Sequence, residues 1–414
     1  MEVLKVCDVV GALPWVRTQL CGRMRRVAGA LLAFCHCASS SQQCSEGADG
    51  TVYTREGATL AISTNDPPPS DLKVNIRGRH RLVYSARDEL PEYIGAPSNA
   101  NFPLVVQAAS SNETAPSIDA FSAAARDLLS DHLISKGAIM FRGLPTHDAD
   151  AFNAFAAGLG WTAVTIGGGG TQRQQVAGNV RSASEEPAEH TIEPHMDMAH
   201  SIAHPKRIAF YMSAGPPPGV GGETVLTDMR AVYASLAADG IPQAFEARGG
   251  VAYHKRLWSD AQTNHTQYTW QKFFFTPNLE VALEAVRKRD PDARIHEHGP
   301  EVIDFQEVLP AVHAHPHTGE PTWFNGVHTN HHSYYEEALH VDTSDGSPMD
   351  STYADGTPIP DKIIAAIRAA FWKASVAIPL RTGDVVVVDN MLASHGRMSW
   401  VPPAPRRMML THFS

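Results

Sequence analysis

The stretch "IEPHMDMAHSIAHPKRIAFYM", which runs from Ile192 to Met212, joins a segment rich in histidine and acid to an apolar segment typical of a β-strand. His195 and Asp197 are two positions apart, and residues at this spacing point to the same side of a strand. Two histidines and one carboxylate on one face of an iron ion leave three positions for a chelating cosubstrate and oxygen. The stretch therefore predicts two of the three ligands of such a site.

The third ligand must come from a distant strand, and His395 is the candidate. It follows the apolar run "GDVVVVDNMLAS", which predicts a strand that ends at the mouth of a barrel. Gly396 comes next and is expected to leave room for a ligand beside the histidine. We therefore predict that His195, Asp197 and His395 together bind one metal ion.

A second H-x-D motif, formed by His340 and Asp342, competes with the first. It follows the acidic, helical segment "YYEEALH" and leads into the polar segment "DTSDGSPMDSTYADG", so we expect it in a solvated loop. The other histidines close to candidate strands are predicted at the rim of the site or at polar strand ends; they are His200, His204, His313, His315, His331 and His332.

The order of the predicted elements indicates a mainly β fold that also contains helices. Strands are predicted at 137–144, 207–215, 221–228, 250–257, 305–315, 321–328, 383–390 and 406–413. Helices are predicted at 146–160, 229–238, 280–287 and 361–373. This arrangement is typical of an antiparallel double-sheet barrel decorated by helices.

The bulk properties exclude several classes of protein and site. The chain has 414 residues and a formal net charge of −10, with no basic cluster beyond the N-terminus, so nucleic acid is not the expected partner. No run of about eighteen apolar residues follows the first forty, so no membrane span is predicted in the main body. All five cysteines precede residue 45, which excludes a disulfide, a cysteine-rich zinc site and a cysteine nucleophile from the rest of the chain.

The sequence suggests three regions. Residues 1–45 contain basic residues ahead of the apolar run "VAGALLAF", and they are interpreted either as a targeting segment or as a disordered extension. Residues 46–116 are rich in Ser, Pro, Gly and Asn and predict a loosely structured N-terminal arm. The compact domain is expected at 117–414. If residues 1–45 are a targeting segment, a secretory or an organellar signal fits them, and the sequence does not decide between compartments, whether cytoplasmic, organellar or other. The sequence is compatible with a homo-oligomer.

Two arginines open the final predicted strand, Arg406 and Arg407. A cosubstrate with a distal carboxylate needs an always-charged planar partner, and arginine can bind it by two parallel hydrogen bonds. Because side chains alternate along a strand, only one of the two is expected to face the barrel.

With these residues assembled, the chain resembles the taurine dioxygenase and clavaminate synthase-like family of iron(II)- and 2-oxoglutarate-dependent oxygenases. The resemblance extends from about Gly137 to the C-terminus. It is carried by "GAIMFRGL", "SASEEPAEHTIEPHMDMAH", "PKRIAFYMSAGPPPGVGGETVLTDMRAVY", "PTWFNGVH" and "GDVVVVDNMLASHGR" followed by "PRRMML".

The resemblance implies a double-stranded β-helix, or jelly-roll, core at 117–414 in which His195, Asp197 and His395 hold Fe(II). It also implies that Thr224 binds the distal carboxylate of 2-oxoglutarate together with an arginine. Family members place this arginine immediately before an apolar pair, which favours Arg407 over Arg406. Because Asp197 is present, the resemblance implies hydroxylation or a related oxidation of a substrate by O2, with release of succinate and CO2.

The resemblance also gives expectations for the substrate. Taurine-type members carry an arginine four residues after the cosubstrate arginine, but Thr411 stands there, so a sulfonate is not expected. Glu185, Phe324, Asn325 and Thr411 are the candidate substrate residues by family position, and the polarity of this pocket lining suggests a small polar metabolite. Two other functions use the same ligands. One is a metal-dependent hydrolase with a metal-bound water, and the other is a metal-binding jelly roll without catalysis.

Overall fold

The structure of the chain is a computed structural model. It describes residues 43–47, 50–63, 74–75, 93–94, 102–110, 116–165, 173–183, 186–262, 268–335 and 346–414. Three predictions therefore concern residues outside the described part: nearly all of the segment 1–45, Glu185, and the motif of His340 and Asp342.

The described residues form 23 strands and eight helices, which we number in chain order. The strands are β1 (Gln43–Gly47), β2 (Gly50–Arg55), β3 (Ala58–Ile62), β4 (Val74–Asn75), β5 (Tyr93–Ile94), β6 (Leu104–Ser110), β7 (Ala138–Arg142), β8 (Ala163–Val164), β9 (Gln175–Ala177), β10 (Val180–Ser182), β11 (Ile192–His195), β12 (Arg207–Ala214), β13 (Thr224–Asp228), β14 (Val251–Trp258), β15 (Arg294–His298), β16 (Val302–Leu309), β17 (His313–Ala314), β18 (Pro321–Thr322), β19 (Met349–Tyr353), β20 (Ser375–Ile378), β21 (Val385–Asp389), β22 (Ala393–Arg397) and β23 (Arg407–Phe413). The helices are α1 (Ile118–Lys136), α2 (Ala149–Gly158), α3 (Met229–Ala238), α4 (Ile241–Glu246), α5 (Trp270–Phe274), α6 (Leu279–Arg289), α7 (Val327–Asn330) and α8 (Asp361–Lys373).

Two sheets form the centre of the fold. The larger has eleven strands in the spatial order β1-β2-β3-β6-β7-β21-β12-β23-β10-β9, with β8 paired to β23. The smaller has the order β11-β22-β13-β20. Neighbouring strands in both sheets are antiparallel except β6 and β7, which run parallel. The fold is the jelly roll that the sequence predicts, and a third sheet, β15-β16-β14-β19, lies beside it.

The apolar run of β21 explains how the larger sheet is covered on both faces. Val386 and Val388 belong to the core that also contains Phe210 of β12 and Leu226 of β13, so they fill the space between the two sheets. The alternate residues, 385 and 387, pack with the residues of α1 and α2 on the outer face. A strand buried on both sides needs an unbroken apolar sequence, and "VVVV" supplies it.

The helices begin at residues that cap them. Asp148 accepts a hydrogen bond from the backbone N–H of Ala151 at 2.8 Å and so caps α2. Ser117 caps α1 in the same way through Ala120. None of the helices among the described residues is long and apolar enough to cross a membrane.

The N-terminal arm is more ordered than its composition suggested. Strands β2, β3 and β6 lie before residue 117 and continue the larger sheet through the pairing of β6 with β7. Tyr53 and Leu60 are buried in the core that α1 covers, and the Tyr53 hydroxyl donates a hydrogen bond to Asp131 at 2.8 Å. The compact domain therefore extends N-terminally beyond the predicted boundary at residue 117, because these short strands bury apolar side chains against α1.

The segment 321–328 is not the continuous strand that was predicted. Only Pro321–Thr322 is strand, and the helix α7 follows at Val327. The Asn325 side chain accepts a hydrogen bond from the backbone N–H of Val327 at 3.1 Å, which turns the chain into this helix. The predicted strand at 305–315 is likewise divided, because Pro310 has no N–H to continue the ladder after Leu309.

A buried ion pair connects α8 to the strand that ends at His195. The guanidinium of Arg368 lies 3.1 Å from the Glu193 carboxylate, and both side chains are 1% exposed. Arg368 also donates hydrogen bonds to Ser333 Oγ at 3.0 Å and to the carbonyl of His328 at 2.9 Å. The Arg368 side chain of α8 thus contacts both β11 and α7.

We predict that Arg368→Met lowers the free energy of unfolding by about 3–5 kcal/mol, because it removes the guanidinium from a buried carboxylate. Arg248→Met is the matched control, since Arg248 pairs with Asp355 at the surface, and we expect a loss of at most about 1 kcal/mol. Urea unfolding monitored by circular dichroism measures both values. Equal losses in the two variants would contradict the role given to Arg368.

Candidate metal centre

The structure brings His195, Asp197 and His395 together at one end of the smaller sheet. His195 is the last residue of β11 and lies directly opposite His395 of β22. The Nε2 atoms of the two histidines are each 3.4 Å from Oδ1 of Asp197. One donor atom from each residue therefore points into the same small space, with all three within 4.8 Å of one another.

Gly396 makes this arrangement sterically possible. A Cβ atom at this position would lie 2.7 Å from the carbonyl oxygen of Ile192 and 3.1 Å from the nitrogen of Pro194. The close approach of β11 to β22 therefore requires a residue without a side chain. The space beside Gly396 was predicted to accommodate a ligand, but the backbone of β11 passes through it.

The hydrogen bonds of the centre orient its donor atoms. The Nδ1–H of His195 donates to the carbonyl of Glu193 at 2.9 Å, which leaves Nε2 as the free ligand atom. Burial lowers the pKa of His395 to about 4, so this ring is neutral at physiological pH, as a metal ligand must be.

The two carboxylate oxygens of Asp197 have different partners. Oδ1 faces the two histidine rings, whereas Oδ2 accepts hydrogen bonds from His412 Nε2 at 2.8 Å and from Arg173 Nη2 at 3.0 Å. Burial opposes ionisation, but the Arg173 cation and the neighbouring imidazole rings of His195, His395 and His412 outweigh it and hold the pKa of Asp197 well below its usual range. The carboxylate is therefore ionised and its Oδ1 is available as a ligand.

This donor set fits a divalent iron ion. Ligand atoms about 2.1 Å from one metal ion and at right angles to each other are about 3.0 Å apart. The separations of 3.4 Å in the structure are close to that value. Two imidazoles and one carboxylate on one side of the ion are the protein ligands of non-haem iron oxygenases.

A second group of side chains that could hold a metal ion, His331, His332 and Asp350, lies at the C-terminal end of α7. Its donors are already engaged with one another and with the backbone. Asp350 Oδ1 accepts hydrogen bonds from the ring and the backbone N–H of His332, and the Ser333 hydroxyl contacts His331 Nδ1. The prediction of a polar strand end is wrong here, because His331 and His332 follow the helix α7 and Asp350 comes from β19.

The structure pairs Thr224 with Arg406, the neighbour of the preferred candidate Arg407. Arg406 Nη2 donates a hydrogen bond to Thr224 Oγ1 at 3.1 Å, and its Nε donates to the carbonyl of Gly222 at 2.7 Å. The side chain of Arg407 is exposed. Arg406 immediately precedes β23 and contacts Thr224, whereas Arg407 borders the same cavity with an exposed side chain.

The structure does not bring the predicted substrate residues to the metal centre. Phe324 is buried against the rings of His204 and His313, and Asn325 donates to the carbonyl of Ala311 at 2.8 Å. Thr411 lies on the outer face of β23, the side from which Met409 and Phe413 pack against the helices. These side chains support the fold around the site, since their contacts are internal.

A cavity of about 480 Å³ opens directly at the metal centre. Its described charged lining, apart from the metal ligands, consists of Arg173, Arg181, Glu186, Arg397, Arg406 and Arg407. Its aromatic lining consists of Tyr268, Phe275, Tyr334, Tyr335 and Trp400, besides Phe210. Arg173 and His412 were missed from the sequence, although the alternation of β23 would have placed His412 on the inward face once Arg406 was chosen.

A profile of the taurine catabolism dioxygenase TauD, TfdA family matches residues 100–412, a span that contains the whole metal centre. The chain belongs to this family. The members of this family are iron(II)- and 2-oxoglutarate-dependent oxygenases, and the chain is an enzyme of this class.

The chain is also similar to individual proteins. The chain is 31% identical to dapdiamide synthesis protein DdaC of Enterobacter agglomerans over 275 residues, which cover 64% of this chain and 80% of that protein. It is 26% identical to a clavaminate synthase-like protein of Arabidopsis thaliana over 275 residues, which cover 66% and 80% of the two chains. Among solved structures, PvcB from Pseudomonas aeruginosa aligns with a TM-score of 0.44 and 14% identity over 77% of this chain and 87% of its own.

We predict that the purified TauD/TfdA family enzyme binds one iron(II) per chain, and that His195→Ala, Asp197→Ala and His395→Ala each abolish this binding by removing one of three ligands. Variants of the rival motif, His340→Ala and Asp342→Ala, should retain the metal. Metal analysis of the anaerobically reconstituted proteins measures the content. Iron that follows the rival motif instead would overturn the assignment.

Proposed function

We propose that the enzyme hydroxylates a small polar metabolite that carries a negative charge, with 2-oxoglutarate as cosubstrate and succinate and CO2 as coproducts. The observation that carries this proposal is the position of the Arg406 and Thr224 pair in the same cavity as the three metal ligands. A metal-dependent hydrolase has no need of a half-buried arginine at this place, and a non-catalytic metal site has no need of an open cavity.

Arg406 is suited to the distal carboxylate of 2-oxoglutarate. Burial and the neighbouring Arg397 cation lower its pKa to about 9, so the guanidinium is still charged at neutral pH. Its two hydrogen bonds to Gly222 and Thr224 fix the plane of the guanidinium and use two of its five N–H groups. The remaining N–H groups can bind a carboxylate, to which the Thr224 hydroxyl adds one more donor.

The chain's own residues keep the site dry and fixed, and iron(II) with 2-oxoglutarate supplies the oxidising chemistry when both are bound. Asp197, Phe210 and His395 are buried around the centre, and the two sheets enclose it from either side. We propose hydroxylation and not halogenation. In related halogenases a small residue replaces the carboxylate ligand and leaves room for chloride, whereas this chain has Asp197 at that position.

The charge of the cavity lining favours an anionic substrate. Arg173 and Arg181 both line the cavity, whereas Glu186 is the one acidic side chain among its described lining besides Asp197. The two positive charges of iron(II) are balanced by the two negative charges of 2-oxoglutarate. The arginine side chains of the lining therefore leave the cavity with a net positive charge. An anion that enters this cavity gains favourable electrostatic energy, and the tyrosine side chains offer apolar walls with polar tips.

We expect Arg406→Gln to raise the dissociation constant of 2-oxoglutarate roughly thirty- to a thousand-fold, which corresponds to about 2–4 kcal/mol for a carboxylate that loses its charged partner. Arg407→Gln is the matched control and should change the constant by no more than about twofold. Anaerobic titration of the iron(II) enzyme, followed through the visible charge-transfer band of the chelated 2-oxo acid, measures both. A larger effect in Arg407→Gln would transfer the role to that residue, and absence of the band in the unmodified enzyme would favour a hydrolase.

The substrate charge is tested with matched pairs of small molecules. We expect a carboxylic acid to raise the rate of succinate formation above its uncoupled level, while its primary amide, which has the same shape without the charge, does not. A panel of acids and their amides, with succinate as the readout, makes this comparison. Equal stimulation by acid and amide would remove the anionic substrate from the proposal and leave the oxygenase activity untouched.

A further inference from the structure

We propose that His412 is a positioning residue that holds Asp197 so that only Oδ1 reaches the metal. The inference rests on the metal centre of the proposed function and goes beyond it, since it gives a role to a residue that is not itself a ligand. Its basis is the hydrogen bond of 2.8 Å from His412 Nε2 to Asp197 Oδ2, together with the opposite direction in which Oδ1 points.

The position of His412 in the fold makes this contact rigid. It lies on β23, which is paired on one side with β12 and on the other with β10 and β8. Its neighbour on β12 is Ile208, which belongs to the core between the sheets. A donor built into the interior of an eleven-stranded sheet cannot follow the carboxylate if the carboxylate turns.

Arg173 contacts the same oxygen but is placed differently. Its side chain is 20% exposed in the cavity, whereas that of His412 is 6% exposed. It is also one of the cationic residues that an anionic substrate would meet. His412 is therefore the contact that a bound ligand cannot displace.

The consequence concerns the number of open metal positions. A carboxylate that binds through one oxygen leaves three positions for 2-oxoglutarate and O2, but a carboxylate that turns to bind through both oxygens occupies one of them. The hydrogen bond from His412 holds Oδ2 away from the space into which Oδ1 and the two histidine Nε2 atoms point. The hydrogen bond thus preserves the open face of the centre as well as the affinity for the ion.

The test measures Mn(II) binding without cosubstrate, by the electron paramagnetic resonance signal of the free ion, in three variants. His412→Leu removes the donor at similar volume and should weaken Mn(II) binding about ten- to a hundredfold. His412→Gln offers an amide N–H donor and should recover most of the affinity. Thr411→Val changes the adjacent residue on the outer face of β23 and should leave the affinity unchanged.

The outcomes separate this inference from the proposed function. If His412→Leu is folded, as judged by its thermal melting without metal, and binds Mn(II) as tightly as the unmodified protein, the inference is overturned. A His412→Gln variant no better than His412→Leu also overturns it, because the donor would then not matter. Unaltered Mn(II) binding in Asp197→Ala would instead overturn the metal centre itself.

Discussion

The close approach of β11 and β22 is the constraint on which the rest of the structure depends. The two strands can meet only because Gly396 has no side chain, and their pairing places His195 opposite His395. Two ligands from distant parts of the sequence are thereby fixed by backbone hydrogen bonds, without the need for a flexible loop. A site on strands keeps its geometry more accurately than a site on loops.

Buried charges of opposite sign stabilise this pair of strands on both sides. Below the smaller sheet, Arg368 neutralises Glu193 and ties β11 to α7 and α8. At the metal centre, His412 and Arg173 donate hydrogen bonds to Oδ2 of Asp197. The fold itself therefore pairs each carboxylate with an arginine, so the ligands are organised during folding.

Most of the architecture could be predicted because its strands have strong patterns. The valines of β21 and the apolar run "IAFYM" of β12 are buried on both faces of the sheet, and the helix predicted at 361–373 matches its observed bounds. The N-terminal strands could not be predicted, because β2 and β3 are short and lie in a segment rich in Ser, Pro and Gly. Their burial depends on α1, a contact that no local pattern encodes.

The same distinction applies to the site. The convergence of His195, Asp197 and His395 was predictable, since H-x-D followed by a strand and His395 after an apolar strand are features of local sequence. The choice between Arg406 and Arg407 was not, because it depends on which face of β23 turns inward, and a shift of one residue reverses every side chain. The alternation of side chains along β23 places His412 beside Asp197 and directs Thr411 away from the metal centre.

The most direct test of the central claim is a crystal structure of the protein with Mn(II) and 2-oxoglutarate, with the ion located by its anomalous scattering. The account predicts one peak about 2.1 Å from Nε2 of His195, Nε2 of His395 and Oδ1 of Asp197, with Arg406 bound to the distal carboxylate. A peak at His331, His332 and Asp350, or a cosubstrate carboxylate bound away from Arg406, would contradict it.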